Sequence, residues 1–94
     1  MRDWPEGWEE VTSPTLVVEL QREMRKGHVL HGRPVRCVGR RSMTDDILYE
    51  LEDTGELAAV HLTWADRKQR PPYPWTEIFA TFEEWAEAER EDPA

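Results

Sequence analysis

The alternation of apolar and polar positions is clearest over residues 47–64, where two apolar runs, ILYEL and LAAVHLTW, flank the turn-rich segment EDTGE. Two strand-like runs joined by a short loop that contains glycine are typical of a β-hairpin. If residues 53–55 form a three-residue loop, Leu51 faces Leu57 across the hairpin. We therefore expect the chain to double back at Gly55, and we expect this hairpin to form the centre of the fold.

Two further segments have the spacing of amphipathic helices. Ser13 followed by Pro14 is typical of a helix start, and Gly27 after two basic residues is typical of a stop. The apolar positions between them recur at helical spacing: Leu16, Val17, Leu20 and Met24. A second helix is predicted to follow Thr81, because Thr81 and Glu84 form the pattern of a capping box. Its predicted buried stripe consists of Phe82, Trp85 and Ala86.

The remaining pattern predicts strands and an N-terminal arm. Residues 35–41 are predicted as a first strand, residues 42–46 as a turn, and residues 75–80 as a candidate fourth strand at the edge. The predicted fold class is α+β, with an N-terminal helix, a three-stranded antiparallel meander and a C-terminal helix, both helices covering one sheet face. Residues 1–12 are predicted to be an arm without a regular element, and residues 13–94 a single domain.

Composition sets limits on the class of protein. A chain of 94 residues, 38% of them hydrophobic, forms one small core. The net charge of -8 argues against non-specific attraction to nucleic acid or to anionic lipid. Cys37 is the only cysteine, so no intrachain disulfide can form, which fits a reducing compartment. The N-terminus is too polar for a signal peptide, and no apolar run approaches the ~20 residues of a membrane span. We expect a cytoplasmic protein that does not enter the membrane.

The charges are unevenly distributed. Residues 22–41 carry seven basic side chains against Glu23, whereas residues 42–56 carry six acidic side chains and no lysine or arginine. Strands of opposite charge can pair across their exposed face, and such cross-strand pairs stabilise a sheet. We favour this internal pairing over a nucleic-acid surface, which usually interleaves basic residues with base-stacking rings.

Three histidines and the cysteine are the candidate metal ligands. His28 and His31 are spaced H-x-x-H, and Cys37 and His61 lie on predicted strands. Zinc would accept these residue types if they converged, but their spacing matches no compact zinc motif. We therefore favour structural roles for the histidines and expect no metal or cofactor, with a site of His28, His31 and His61 as the alternative.

Asp45 and Asp46 are the candidate acid-base residues. Together with His28, His31 or His61 they could perform proton transfer in a metal-dependent or acid-base enzyme. Adjacent aspartates before a strand more often close a turn through bonds to the backbone. No phosphate-binding loop, nucleophile elbow or paired-cysteine motif occurs in the chain, which argues against the common cofactor-dependent and nucleotide-dependent functions.

Aromatic residues offer the stronger candidate for a binding surface. Trp64, Tyr73 and Trp75 flank a proline-rich segment that carries Arg67, Lys68 and Arg70, and interfaces favour such rings beside arginine. The other interpretation is that these rings cover a core too small to close without them. The same choice applies to Trp4 and Trp8, for which we favour docking on the domain itself over waiting for a partner.

The sequence best fits a non-enzymatic interaction or accessory protein that binds a protein partner, or a second copy of itself, through Trp64, Tyr73 and Trp75. A third class is an immunity or antitoxin protein that neutralises a basic toxin through its acidic hairpin tip and final helix. The runs GHVLHG, DDILYEL, VHLTW and PWTEIFATFEEW resemble a family of small uncharacterised bacterial proteins built from the same four blocks. That resemblance implies a bacterial origin and a small independent domain, and it assigns no activity to any residue.

Overall fold

The computed structural model of the protein describes residues 2–64 and 68–91. In this part of the chain the elements are β1 (Trp8–Glu10), α1 (Pro14–Glu23), β2 (Val35–Arg41), β3 (Asp46–Leu51), β4 (Leu57–His61), β5 (Thr76–Phe79) and α2 (Phe82–Glu91). The strands form one antiparallel sheet in the order β1-β2-β3-β4-β5. The predicted α+β class is confirmed, with five strands in place of three or four. Neither helix is long and apolar enough to cross a membrane within the described residues.

The strand β1 corrects the prediction that residues 1–12 contain no regular element. Trp8 pairs with Arg41 and Glu10 pairs with Gly39 of β2. Trp8 also packs edge-to-face on Trp85, with 4.7 Å between the ring centroids. This pairing depends on a ring that docks on distant residues, so local propensity does not reveal it. The prediction that the arm docks on the domain itself is confirmed.

The β3–β4 hairpin turns where the sequence predicts, but its register differs by one residue. Leu57 pairs with Glu50 and not with Leu51. The amide of Gly55 donates to the Leu51 carbonyl oxygen at 2.7 Å, and the amide of Leu51 donates to the Glu56 carbonyl oxygen at 2.8 Å. The loop therefore holds four residues, with Gly55 in the left-handed region at a φ of 81°. A register is weakly specified when both faces of a strand are apolar, which is the case for residues 57–60.

The two helices cover opposite faces of the sheet, not one face as the sequence analysis predicts. The core under α1 contains alternate strand residues that share the face of Leu20: Ile47, Tyr49, Leu51, Ala58 and Val60. The core under α2 contains the residues between them: Leu48, Leu57 and the half-buried Ala59. Strands that are apolar on both sides are typical of a sheet covered on both faces.

The predicted helix starts are confirmed by their caps. The Ser13 hydroxyl accepts a hydrogen bond from the amide of Leu16 at 3.3 Å, and Pro14 occupies the first helical turn. The Thr81 hydroxyl accepts from the amide of Glu84 at 3.1 Å. Helix α1 ends at Glu23, four residues before Gly27, because Met24 already has an extended backbone.

The basic and acidic segments pair with each other as the charge pattern predicts. Arg36 forms an ion pair with Glu50, and Arg33 bonds Asp53 at 3.1 Å and lies 3.5 Å from Glu56. These contacts join the exposed edges of neighbouring strands and loops. The charges of Arg33 and Arg36 are thus neutralised by the acidic segment.

Candidate functional site

Exposed aromatic rings are concentrated at one end of the sheet. We call it the open end: there β2 and β4 end and β3 and β5 begin. Trp64, Tyr73 and Trp75 are 44%, 53% and 51% exposed. The six other aromatic side chains are buried or half-buried. We refer to Trp64, Tyr73 and Trp75 as the aromatic surface; within it the rings of Tyr73 and Trp75 lie 6.5 Å apart between centroids.

Trp64 occupies an unusual backbone conformation. Its φ of 55° lies in the left-handed region, which a bulky side chain rarely adopts. The carboxylate of Glu23 holds this backbone: it accepts from the amide of Trp64 at 2.9 Å, and from the amide and the hydroxyl of Thr63 at 2.8 Å each. The Trp64 indole N–H donates to Asp45 at 3.1 Å. A buried carboxylate of α1 thus fixes an exposed ring in a strained conformation.

Glu23 is fully buried, and its neighbour Glu19, one helical turn away, is nearly so. Burial alone would raise the pKa of Glu23, but hydrogen bonds from the Glu19 side chain, from Thr63 and from Trp64 together hold that pKa below its usual value. Burial and the neighbouring carboxylate of Glu23 raise the pKa of Glu19, although Arg22 opposes that shift. The two neighbouring carboxylates are therefore shifted in opposite directions, with the pKa of Glu23 lowered and that of Glu19 raised.

His28 is a structural residue of the connection after α1. It is buried, its Nδ1 accepts from the amide of Leu30 at 3.0 Å, and its Nε2 donates to the carbonyl oxygen of Pro74 at 2.9 Å. Both ring nitrogens are occupied, and the acceptor role of Nδ1 requires the neutral tautomer with the proton on Nε2. His28 thus joins this connection to the loop that precedes β5, whereas His31 is exposed.

Replacing His28 with alanine is expected to lower the free energy of unfolding by about 2 kcal/mol, since it leaves the buried amide of Leu30 without an acceptor and removes one of the two donors to the Pro74 carbonyl oxygen. His31→Ala is the matched control and should change stability by less than about 0.5 kcal/mol. Urea unfolding of both variants measures the difference. Equal losses would show that the hydrogen bonds of His28 do not stabilise the fold.

Asp46 and His61 form a pair at the open end. They are directly opposite each other in the β3–β4 ladder, and Nδ1 of His61 lies 2.9 Å from a carboxylate oxygen of Asp46. The prediction that the two aspartates close the turn is wrong, since Thr44 supplies that contact by accepting from the amide of Asp46 at 3.2 Å. The side chains of Asp45 and Asp46 instead bond the rings of Trp64 and His61.

A cleft of about 300 Å³ adjoins this pair on the sheet face that α2 covers. Its walls include the rings of Trp8, Trp75 and Trp85. Its charged and titratable lining residues are Arg41, Asp46, His61, Glu77 and Glu89. Strand alternation places His61 and Glu77 on this face, in line with Ala59 and Phe79 of the α2 core.

The structure does not bring the candidate metal ligands together. Within residues 2–64 and 68–91, no three histidine, cysteine or acidic side chains are arranged to hold a metal ion. Cys37 is buried in the α1 core, and burial raises the pKa of its thiol, which disfavours the reactive thiolate. Arg67, predicted beside the aromatic surface, lies outside the described residues, and Lys68 donates to the carbonyl oxygen of Met24 at 3.0 Å.

Comparison of the chain with protein-family models, with curated proteins and with solved structures gave no match. The resemblance to small bacterial proteins therefore stays a prediction.

Sequence reasoning found the three exposed rings but missed how they are held. Glu23 occupies an ordinary polar position of an amphipathic helix, and no neighbouring residue in the sequence indicates that its carboxylate is buried. One signal was present: Glu19 and Glu23 are one turn apart beside the apolar stripe of α1, so both could approach the core.

Proposed function

We propose that this protein is a non-enzymatic binding protein whose aromatic surface docks on a protein partner. One observation carries the proposal: the three exposed aromatic rings lie around one end of the sheet, while the other six are packed. Large rings at the surface are the side chains that dominate the energetics of protein interfaces. An exposed ring on a backbone held in a sparsely populated conformation also supports a functional role.

The charge of the protein favours a basic partner over a second copy. Asp45, Asp46 and Glu77 lie at the open end, and the whole chain carries a net charge of -8. Two copies would repel each other at low ionic strength, whereas a basic protein would be steered towards this surface. An immunity or antitoxin protein that neutralises a basic toxin is one form of this proposal.

The binding experiment compares wild type with a variant in which the aromatic surface is removed, Trp64→Gly with Tyr73→Ser and Trp75→Ser. Cross-linked partners are identified with both proteins, and the affinity of each purified partner is then measured by calorimetry. We expect at least one partner that binds wild type and loses about 100-fold or more in affinity for the variant. A partner with unchanged affinity contradicts the proposal. Concentration-dependent dimerisation in sedimentation velocity would indicate that the partner is a second copy of the chain and not a basic protein.

Trp64→Gly separates binding from folding. Glycine adopts the left-handed conformation without strain, so we expect the free energy of unfolding to stay within about 1 kcal/mol of wild type. Partner affinity should nevertheless fall, because the ring is gone. Trp64→Ala removes the same ring but keeps the backbone strain, and it should be less stable than Trp64→Gly by about 1 kcal/mol. A Trp64→Gly protein that unfolds much more easily would show that the ring serves the fold.

A second candidate function, acid-base chemistry, is favoured by the contact between His61 and Asp46. The carboxylate fixes one nitrogen of the imidazole, and Nε2 has no partner among the described residues. Such an activity would be lost in both His61→Ala and Asp46→Asn and would survive Trp64→Gly. A binding protein gives the reverse pattern, since its affinity depends on the ring.

A further inference from the structure

The cleft at the open end has the composition of a site for an organic cation. We propose that it receives the guanidinium group of an arginine side chain carried by the protein partner. This inference rests on the proposed function and names the chemistry of its contact. A guanidinium stacks favourably on the face of an aromatic ring and forms paired hydrogen bonds with carboxylates, and the cleft supplies both groups.

The charge of the cleft is negative even after its internal pairs are considered. Asp46, Glu77 and Glu89 line it against a single arginine, Arg41. That arginine lies 3.7 Å from Glu89, so its charge is directed at a carboxylate of the cleft itself. Glu89 also accepts from the indole N–H of Trp8 at 3.1 Å. Two negative charges remain uncompensated while His61 is neutral.

Glu77 is the carboxylate best placed for an incoming cation. It is exposed on β5, and among the described residues its side chain forms no hydrogen bond or ion pair. It pairs with Ala59 in the β4–β5 ladder, so no long side chain opposite it fills the space. A charge at this position is therefore free to bind a ligand.

Trp75 provides the aromatic face. Its side chain is 51% exposed, and the ring contact that it makes is a tilted one with Tyr73. No cation from the described part of the chain lies over it. A ring beside a free carboxylate is thus available at the edge of a cleft large enough for one side chain.

At the other end of α2, an arginine of the chain itself already binds a ring and a carboxylate. The guanidinium of Arg2 lies 5.1 Å from the centroid of the Phe82 ring and bonds a carboxylate oxygen of Glu50 at 2.8 Å. A larger cleft of about 770 Å³ adjoins that position; Arg2 pairs with Glu50 there and Arg90 lies 3.5 Å from Asp3, while Glu83 and Glu87 also line it. At the open end, by contrast, no arginine of the described residues lies over the ring of Trp75 or pairs with Glu77.

The experiment titrates the full-length protein with N-acetyl-arginine amide and follows the indole resonances by NMR. We expect the Trp75 resonance to shift in a saturable way, with a dissociation constant on the order of 1 mM, as suits a single side chain. The neutral citrulline analogue at equal concentration, and sodium chloride at equal ionic strength, should not reproduce the shift. An equal response to citrulline or to salt would overturn the proposal.

Matched variants assign the site. Glu77→Gln should weaken the binding of the arginine analogue about fivefold or more, because it removes the unpaired carboxylate. Glu52→Gln, which removes the same charge at the exposed hairpin tip, should leave the affinity within about twofold, since it lies far from the cleft. Equal effects of the two substitutions would show general electrostatic attraction and would overturn the assignment to the cleft.

The failure of this inference can be told apart from the failure of the proposed function. If a partner loses affinity when Trp64 or Trp75 is removed, but the arginine analogue does not bind, the binding function stands and the cleft proposal is wrong. If the analogue binds at Glu77, but every partner is indifferent to the three rings, the binding function is wrong and the cleft binds a cation for another purpose.

Discussion

Replacing Glu23 with glutamine is expected to lower the free energy of unfolding by about 3 kcal/mol. The fully buried carboxylate accepts three hydrogen bonds from Thr63 and Trp64. A glutamine amide would direct its own N–H groups at one of these donors, which leaves a partly buried donor without an acceptor.

Glu19→Gln is the matched control because it makes the same chemical change one helical turn away. Burial and the neighbouring Glu23 carboxylate raise the pKa of Glu19, so removing the charge of Glu19 is expected to cost less than removing that of Glu23. Glu19 also bonds Arg22 at 3.0 Å through both oxygens, but Arg22 is largely exposed and the pair contributes little. We expect a change within about 1 kcal/mol. Similar losses for Glu19→Gln and Glu23→Gln would contradict this account.

The pH dependence of stability has a sign that follows from the two pKa shifts. A lowered pKa for Glu23 stabilises the folded state above the ordinary value of 4.5, and this contribution is lost as the pH falls through the lowered pKa. A raised pKa for Glu19 stabilises the folded state below 4.5, and this contribution is lost as the pH rises through the raised pKa. Glu23→Gln should therefore flatten the acidic limb of the stability curve, and Glu19→Gln the limb above 4.5.

Gly39→Ala is expected to lower the free energy of unfolding by about 2 to 3 kcal/mol, although alanine is normally tolerated in a strand. The ring of Trp4 lies directly on Gly39, so a methyl group there would overlap the ring atoms Cη2 and Cζ3. The arm can relieve the overlap only by giving up the edge-to-face contact of Trp4 with Phe82, whose centroid lies 5.0 Å away.

A double-mutant cycle tests this contact. In a Trp4→Ala background the ring is absent, and Gly39→Ala should then change stability by less than about 1 kcal/mol, which reflects the remaining approach of 3.2 Å to the Glu9 carbonyl oxygen. The same loss in both backgrounds, measured by urea unfolding, would mean that the arm does not dock on Gly39.

Local signals were sufficient for several elements. The bounds of β2, Val35–Arg41, and the capped helix starts at Ser13 and Thr81 could be predicted because short-range preferences and alternation act within a few residues. The docking of Trp4 and Trp8 was also predictable, since exposed indoles on a short polar arm are costly.

The covering of the sheet could not be predicted in the same way. Leu57 and Ala58 are both buried, one on each face of the sheet. Their pattern therefore does not favour one β3–β4 register over the other, and it does not indicate whether helices cover one face or both. The one-residue error in the predicted register also prevented the prediction of the Asp46–His61 contact, because that register did not place His61 opposite Asp46. Glu77 and Glu89 come together only through the packing of α2, which no local pattern encodes.

The central claim is that Trp64, Tyr73 and Trp75 are exposed for contact with a partner and not to complete the core. Urea unfolding of the triple variant Trp64→Gly, Tyr73→Ser, Trp75→Ser tests it without knowledge of the partner. We predict a loss in the free energy of unfolding of less than about 3 kcal/mol for all three substitutions together, since about half of each side chain is already exposed in the folded protein, whereas a single core ring would cost about 3 kcal/mol or more. A loss of about 3 kcal/mol or more would contradict the claim and would show that these rings cover the core.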